Sequence, residues 1–179
     1  MGLPAGEVSV DTAVEIGVVV SPSDRAAVFA LRMLVFVEEQ RVPPEEELDA
    51  YDVTATHFFV RVSAGDDAAA PPIVGTARLV DKGSATGKIG RVAIHADYRG
   101  KGLGAALMQA IHDYAAEHQF HRLVLEAQCY AIPFYEKLGY TAEGDVFLDA
   151  NIEHRNMWRE LRPDSGPRTP AMAARVSTR

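Results

Sequence analysis

The chain is poor in cysteine, in long apolar runs and in positive charge, and each shortage excludes a class of protein. Its 179 residues include one cysteine, Cys129, which cannot form an internal disulfide. No apolar stretch approaches the roughly 18 residues of a transmembrane helix, and the first residues lack the basic and apolar regions of a signal peptide. The net charge of −7 argues against a nucleic-acid-binding protein. We therefore expect a cytoplasmic protein that has neither nucleic acid nor membrane as a partner.

Apolar periodicity predicts one folded domain with an extension on each side. The domain spans 14–162, after an N-terminal extension (1–13) and before a tail (163–179) that has three prolines and no apolar period and is expected to be disordered. Helices are predicted after a Ser23 cap, after Gly102 and from Pro133. Strands are predicted at 14–20, 56–63, 73–80, 88–95, 122–126, 141–148 and 153–161. The expected fold class is α/β or α+β, built around a central sheet.

A glycine-rich turn between a predicted strand and a predicted helix is the most informative feature. It reads Arg99-Gly-Lys-Gly-Leu-Gly104. Its glycines let the backbone approach a ligand, and the helix N-terminus adds partial positive charge, so the turn suits a phosphate group. The spacing Gly100-x-Gly102-x-x-Ala105, with Glu126 about 20 residues further on, also fits a dinucleotide fingerprint. A Rossmann-type NAD(P)-binding oxidoreductase therefore stays open as an alternative.

Two motifs resemble signatures of the GNAT superfamily of N-acetyltransferases. The turn Arg99–Gly104 is similar to the loop with which that family binds the pyrophosphate of coenzyme A (CoA). Downstream, Phe134-Tyr-Glu-Lys-Leu-Gly-Tyr140 resembles its second signature. Shorter matches point to the bacterial ElaA-like branch, although Glu126 stands where that branch is expected to have asparagine. The resemblance covers about residues 15–162, which is the whole predicted domain.

The resemblance implies a fold, a cosubstrate and a set of site residues. The GNAT fold is a mixed central sheet, flanked by helices and splayed between its fourth and fifth strands. Acetyl-CoA is expected to lie in that gap, with no metal, and Tyr135 is expected to protonate the leaving thiolate as general acid. The residues implied in CoA binding are Val92, Ala93, Ile94, Arg99, Gly100, Lys101, Gly102, Leu103, Gly104, Ala105 and Tyr135.

The expected reaction is direct transfer of an acetyl group to a primary amine of a small molecule or peptide, in a ternary complex. A lysine-like amine has a pKa of about 10.4, so a general base is useful. The sequence does not distinguish among the candidate bases Glu38, Glu39, His57, Glu126 and His154.

The acceptor and the assembly state are less defined. The segment from Glu38 to Asp52 has seven acidic residues and one basic residue, and by resemblance it lines the acceptor side of the cleft. Such a concentration of negative charge favours a cationic amine. A homodimer is left open, and so is a module that binds CoA without catalysis.

Overall fold

A computed structural model describes residues 12–64 and 71–161 of the chain. The predicted tail (163–179) and all but the last two residues of the predicted N-terminal extension lie outside the described residues, as does most of the predicted loop before the third strand. The described residues form a seven-stranded sheet. Its strands are β1 (Thr12–Val18), β2 (Thr56–Ala64), β3 (Ile73–Asp81), β4 (Thr86–Ile94), β5 (Arg122–Gln128), β6 (Thr141–Asp149) and β7 (Ile152–Glu160).

The same described ranges include four α-helices, which are α1 (Pro22–Arg32), α2 (Pro44–Glu47), α3 (Leu103–Glu117) and α4 (Ile132–Lys137). Helix α1 is capped by Ser21, whose side chain accepts a hydrogen bond from the Asp24 N–H at 3.0 Å, so the prediction of Ser23 as the cap was wrong. Because Pro22 suits the first helical position, the cap precedes it. The helix then continues as a π-helical stretch, Met33–Glu39. None of the described helices is long and apolar enough to cross a membrane.

The order of the strands separates the two fold alternatives. Across the sheet the order is β1-β2-β3-β4-β5-β7-β6, and within the described residues β4 and β5 are the sole parallel neighbours. A Rossmann domain needs a doubly wound, mostly parallel sheet. The Rossmann alternative is therefore excluded, and the predicted mixed sheet flanked by helices is confirmed.

Strands β4 and β5 separate part of the way along their length. They pair from Thr86 with Arg122 to Ile89 with Leu125, and beyond that point β4 continues to Ile94 without pairing with β5. The predicted splay between the fourth and fifth strands is thus present. Because the backbone of β4 beyond Ile89 has lost its neighbour on this side, its polar groups are left for other partners.

Each face of the sheet packs against a helix. On one face, Leu107, Met108 and Ile111 of α3 are fully buried against the main core, which includes Phe58 and Leu123. On the other face a smaller apolar cluster joins helix α1 and the π-helical stretch to β4 through Leu31, Val35, Phe36 and Ala93. Strand β4 is therefore packed on both faces, by the main core on one and by the smaller cluster on the other.

Candidate active site

A cavity of about 880 Å³ occupies the gap where β4 and β5 separate. The glycine-rich turn before α3 and the short helix α4 border one part of the cavity. The α2 segment and the turn between β6 and β7 border another. That turn is a tight hairpin, since Ala150 and Asn151 both have positive φ and Asp149 pairs with Ile152.

The glycine-rich turn has the backbone geometry of an anion site at two of its three glycines. Gly100 and Gly102 have φ of 74° and 79°, a region that side chains disfavour, and Gly102 is the N-cap of α3. Gly104 lies inside the helix, where an added Cβ would meet Phe134 at an ordinary 3.5 Å. Gly104 does not need positive φ, because the helix begins one residue before it.

The two basic side chains of the turn are placed differently. Arg99 lines the cavity, donates from Nε to the Ile94 carbonyl at 2.8 Å and pairs with Glu39 at 2.7 Å. Lys101 is not among the lining residues, and its ammonium lies 5.0 Å from the ring centre of Tyr98. Of the implied CoA-binding residues in the turn, Lys101 alone is outside the cavity, while Gly100, Gly102, Leu103, Gly104 and Ala105 all line it.

The splayed end of β4 lines the cavity with every residue from Gly90 to Ile94 except Ala93. Val92 and Ile94 line it, whereas Ala93 is buried in the smaller apolar cluster. The His95 N–H bonds to the Val74 carbonyl of β3, so by the alternation of an antiparallel ladder Ile94 directs its backbone groups away from β3. Ala93 pairs with Thr76 of β3 and is not a lining residue.

Tyr135 reaches the cavity from α4 with an almost fully buried ring, only 8% exposed. Its ring packs edge-on against those of Phe134 and Tyr140. Burial, and to a lesser extent the neighbouring Tyr130, raises the pKa of the Tyr135 hydroxyl above its usual range. The hydroxyl is therefore protonated at neutral pH and can act as a proton donor.

A buried polar cluster, which the sequence did not predict, contacts the backbone of Tyr135. Arg159 donates to Nδ1 of His112 at 2.8 Å and to the Leu138 carbonyl at 2.7 Å. Because a guanidinium only donates, Nδ1 is the acceptor and Nε2 donates to the Tyr140 hydroxyl at 2.9 Å. The Tyr140 N–H in turn bonds to the Tyr135 carbonyl. No motif signals this cluster, since its members are up to 47 residues apart.

The structure separates the candidate bases into two groups. Glu126 and His154 line the cavity, and Glu38 and His57 do not. His57 is buried and its Nε2 lies 3.0 Å from the Asp52 carbonyl. Glu38 is exposed at the end of the π-helical stretch. The fifth candidate, Glu39, pairs with Arg99 and is likewise not a lining residue.

His154 and Glu126 differ in the contacts that their side chains already make. Glu126 lies 2.7 Å from the ammonium of Lys88, with both side chains more than a third exposed. The Nδ1 of His154 lies 2.8 Å from the Ile152 carbonyl, so in the neutral form of the ring Nδ1 carries the proton and Nε2 has the lone pair. The imidazole is only 8% exposed and stacks on Phe147. A neutral imidazole with one nitrogen fixed and the other free is suited to accept a proton.

The acidic segment is largely neutralised by arginines from the sheet and α1. Arg32, fully buried, pairs with Glu47 and Asp52, both at 2.6 Å. Arg78 pairs with Asp49 at 2.6 Å and with Asp52 at 2.8 Å. Although burial opposes ionisation, the hydrogen bonds from these two arginines hold the pKa of Asp52 well below its usual range. Three of the seven acidic residues, Glu47, Asp49 and Asp52, are therefore paired with arginines, and their charge does not favour a cationic acceptor.

Metal ligands are not grouped in the described part of the chain. Within residues 12–64 and 71–161 no set of three or more His, Cys, Asp or Glu side chains is placed to hold a metal ion.

Comparisons with known proteins agree with this geometry. Residues 49–161 match the family model described as an acetyltransferase (GNAT) domain. The chain is 35% identical to the uncharacterized N-acetyltransferase YjcF of Bacillus subtilis over 74% of this chain and 89% of the relative. Among solved structures, an acyl-CoA N-acyltransferase of Pseudomonas aeruginosa superimposes with a TM-score of 0.70 at 26% identity, covering 82% of this chain and 99% of the other. ElaA of Escherichia coli gives 0.69 at 27% identity, with the same coverage.

Proposed function

The chain belongs to the GNAT acetyltransferase family, and on that basis we propose that it transfers the acetyl group of acetyl-CoA to a primary amine by direct transfer in a ternary complex. The observation that carries the proposal is the shared cavity: the turn suited to phosphate, the splayed end of β4, a buried tyrosine and a free imidazole nitrogen all border it. Each corresponds to one requirement of the reaction.

Acetyl-CoA fits the residues along β4 and the turn. The backbone of Gly100 and Gly102, with the N-terminus of α3, would hold the pyrophosphate. Arg99 adds a cation there, although it exchanges Glu39 for phosphate when it does so. The backbone groups of Val92 and Ile94 would bind the pantetheine arm and stabilise the oxyanion that forms at the thioester carbonyl.

His154 is the general base of the proposed reaction. It removes a proton from the bound ammonium through Nε2, directly or through one water, and the neutral amine nitrogen forms a bond to the thioester carbon. The C–S bond then breaks and the nitrogen loses its second proton to solvent, which yields the N-acetyl amine and the CoA thiolate. His154 is preferred over Glu126 because the Glu126 carboxylate is already paired with Lys88, whereas Nε2 of His154 has no hydrogen bond to a described residue.

Tyr135 supplies the proton that the leaving thiolate takes up. Its hydroxyl is not hydrogen-bonded to any described residue, so it is free to point at the sulfur. The proton that His154 has accepted returns to solvent and the Tyr135 phenol is reprotonated after release of CoA. Cys129 has no part in this scheme, because direct transfer needs no acyl-enzyme.

The acceptor of the proposed reaction is a primary amine of a small molecule or peptide. The charged residues that line the cavity are five acidic and five basic residues: Glu46, Glu47, Asp49, Glu126 and Asp149, and Arg78, Lys82, Lys88, Arg91 and Arg99. Since acidic and basic groups are balanced there, an additional positive charge on the acceptor is not required.

Steady-state kinetics on matched variants tests these roles. Tyr135→Phe and His154→Gln should each lower kcat about 100-fold and leave the Kd for acetyl-CoA unchanged, as for loss of a general acid or base. Cys129→Ala and Glu38→Gln should retain wild-type kcat. Loss of activity in Cys129→Ala alone would indicate an acyl-enzyme, and unchanged kcat in His154→Gln would return the base role to Glu126.

A further inference from the structure

One residue of β4 has an unusual backbone conformation at the point where the strand leaves β5. In the pairing with β3, Arg78 faces Gly90 and Thr76 faces Ala93, so Arg91 and Val92 together oppose a single residue. This is a β-bulge, and Arg91 adopts φ of 54° within it. Glycine is the usual residue at such a position because a side chain is disfavoured at positive φ. An arginine there calls for a compensating interaction.

The side chain of Arg91 provides that interaction by holding the backbone of α2. Its guanidinium donates to the Glu47 carbonyl at 3.0 Å and to the Glu46 carbonyl at 2.9 Å. It also pairs with the Glu47 carboxylate at 2.9 Å and reaches Asp49 at 3.5 Å. The two main-chain contacts matter most, because they fix the path of the segment and not merely its charge.

The segment held in this way, Pro44–Asp49, is a wall of the cavity. Glu46, Glu47 and Asp49 all line it, and so does Arg91 itself. The residues that follow have a separate anchor, since Asp52 is held by Arg32 at 2.6 Å and by Arg78 at 2.8 Å. Among the described side-chain contacts, Pro44–Asp49 is therefore joined to β4 through Arg91. Arg32 of α1 also holds Glu47, at its carbonyl (2.8 Å) and its carboxylate, and Arg78 of β3 pairs with Asp49.

We propose that Arg91 is a positioning residue that fixes the Pro44–Asp49 wall to the bulge of β4, and so sets the acceptor amine against the acetyl group. The proposal rests on the proposed function for the roles of the two surfaces it joins. The bulge exposes the cleft-facing groups of Val92, and the wall borders the space beside them. Arg91 spans both, whereas a glycine would keep the bulge and lose the connection.

Glycine and alanine at this position test the proposal, because both remove the side-chain connection but only glycine tolerates positive φ. Arg91→Gly has a residue that adopts positive φ without steric cost, and it loses the connection to the wall. Arg91→Ala loses the connection and leaves a side chain at positive φ. The matched control is Arg61→Ala, which removes another ion-paired arginine, bound to Glu15 and Asp24 and distant from the cavity lining.

Two measurements are made on each variant. Hydrogen exchange followed by mass spectrometry should show at least tenfold faster exchange in Pro44–Asp49 of Arg91→Gly, with Ala50–Val53 unchanged because its anchor is intact. Kinetics with the fastest amine from a primary-amine panel should show KM for the amine raised about tenfold, with the calorimetric Kd for acetyl-CoA within threefold of wild type. Arg91→Ala should weaken the binding of both the amine and acetyl-CoA. Arg61→Ala should weaken the binding of neither.

Two results would overturn the proposal. The first is wild-type exchange in Pro44–Asp49 together with a wild-type KM for the amine in Arg91→Gly. The second is a loss of acetyl-CoA affinity in Arg91→Gly as large as in Arg91→Ala, which would assign Arg91 to the bulge alone. If wild type acetylates no amine, the proposed function fails, and the exchange measurement still decides whether Arg91 holds the wall.

Discussion

The buried imidazole of His112 should make the stability of this protein fall as the pH is lowered. His112 accepts a hydrogen bond from Arg159, so a second proton on the ring would place an imidazolium against a guanidinium. Burial, followed by the charge of Arg159, lowers the pKa of His112 from 6.5 to about 4. A depressed pKa in the fold means that stability is full above the unfolded-state pKa and declines below it.

The magnitude follows from these two pKa values. Between about pH 8 and about pH 5 the unfolded chain takes up a proton that the folded chain does not, and linkage gives a loss of about 2 kcal/mol from this group. Below about pH 4 the loss levels off at about 3 kcal/mol. Because the cluster includes Tyr140, whose N–H bonds to the Tyr135 carbonyl of α4, activity should be lost at acid pH together with this loss of stability.

Urea unfolding of wild type and His112→Gln at about pH 8 and about pH 5 measures this loss of stability. Wild type should lose about 2 kcal/mol more than His112→Gln between them, whereas His118→Gln, which removes an exposed imidazole, should behave as wild type does. An NMR titration of the His112 ring gives its pKa directly. Equal losses in wild type and His112→Gln, or a ring that titrates near its ordinary value, would refute the reasoning.

Two further predictions separate residues that look equivalent in the sequence. Gly102→Ala, at positive φ, should weaken acetyl-CoA binding in calorimetry at least tenfold, and Gly104→Ala, in helical geometry with room for a Cβ, should change it less than threefold. Glu47→Gln should lower the free energy of unfolding in urea by about 3 kcal/mol because it breaks a buried pair. The exposed Glu45→Gln should change it by less than about 0.5 kcal/mol. Equal effects within either pair would contradict the corresponding assignment.

Local patterns in the sequence were sufficient to predict the sheet and the glycine-rich turn between β4 and α3. Each predicted strand overlaps an observed one with ends displaced by a few residues, because alternation and β-branching are properties of short segments. The turn at Gly100 and Gly102 was equally legible, since a strand, glycines and a helix follow one another within a few residues. The family resemblance was confirmed by the comparisons.

What the sequence could not reveal depends on contacts between distant residues. Glu45, Glu46 and Glu47 are identical in type, and only the approach of Arg32 and of Arg91, which is 44 residues away, makes Glu47 the buried one. The bulge could not be predicted locally, because positive φ in a bulge is usually indicated by glycine and this position holds Arg91. The choice among candidate bases was undecidable for the same reason: whether His57 or His154 faces the cavity is set by strand register and packing.

Formation of an acetylated amine is the measurement that tests the central assignment most directly. Purified protein is incubated with acetyl-CoA and a panel of primary amines of small molecules and peptides, and mass spectrometry of the amines is read beside release of the CoA thiol. We predict that at least one amine gains a single acetyl group with release of one thiol for each group transferred, and that Tyr135→Phe forms the same product about 100-fold more slowly. Tight binding of acetyl-CoA without acetylation of any amine in the panel would contradict the assignment and indicate a CoA-binding module.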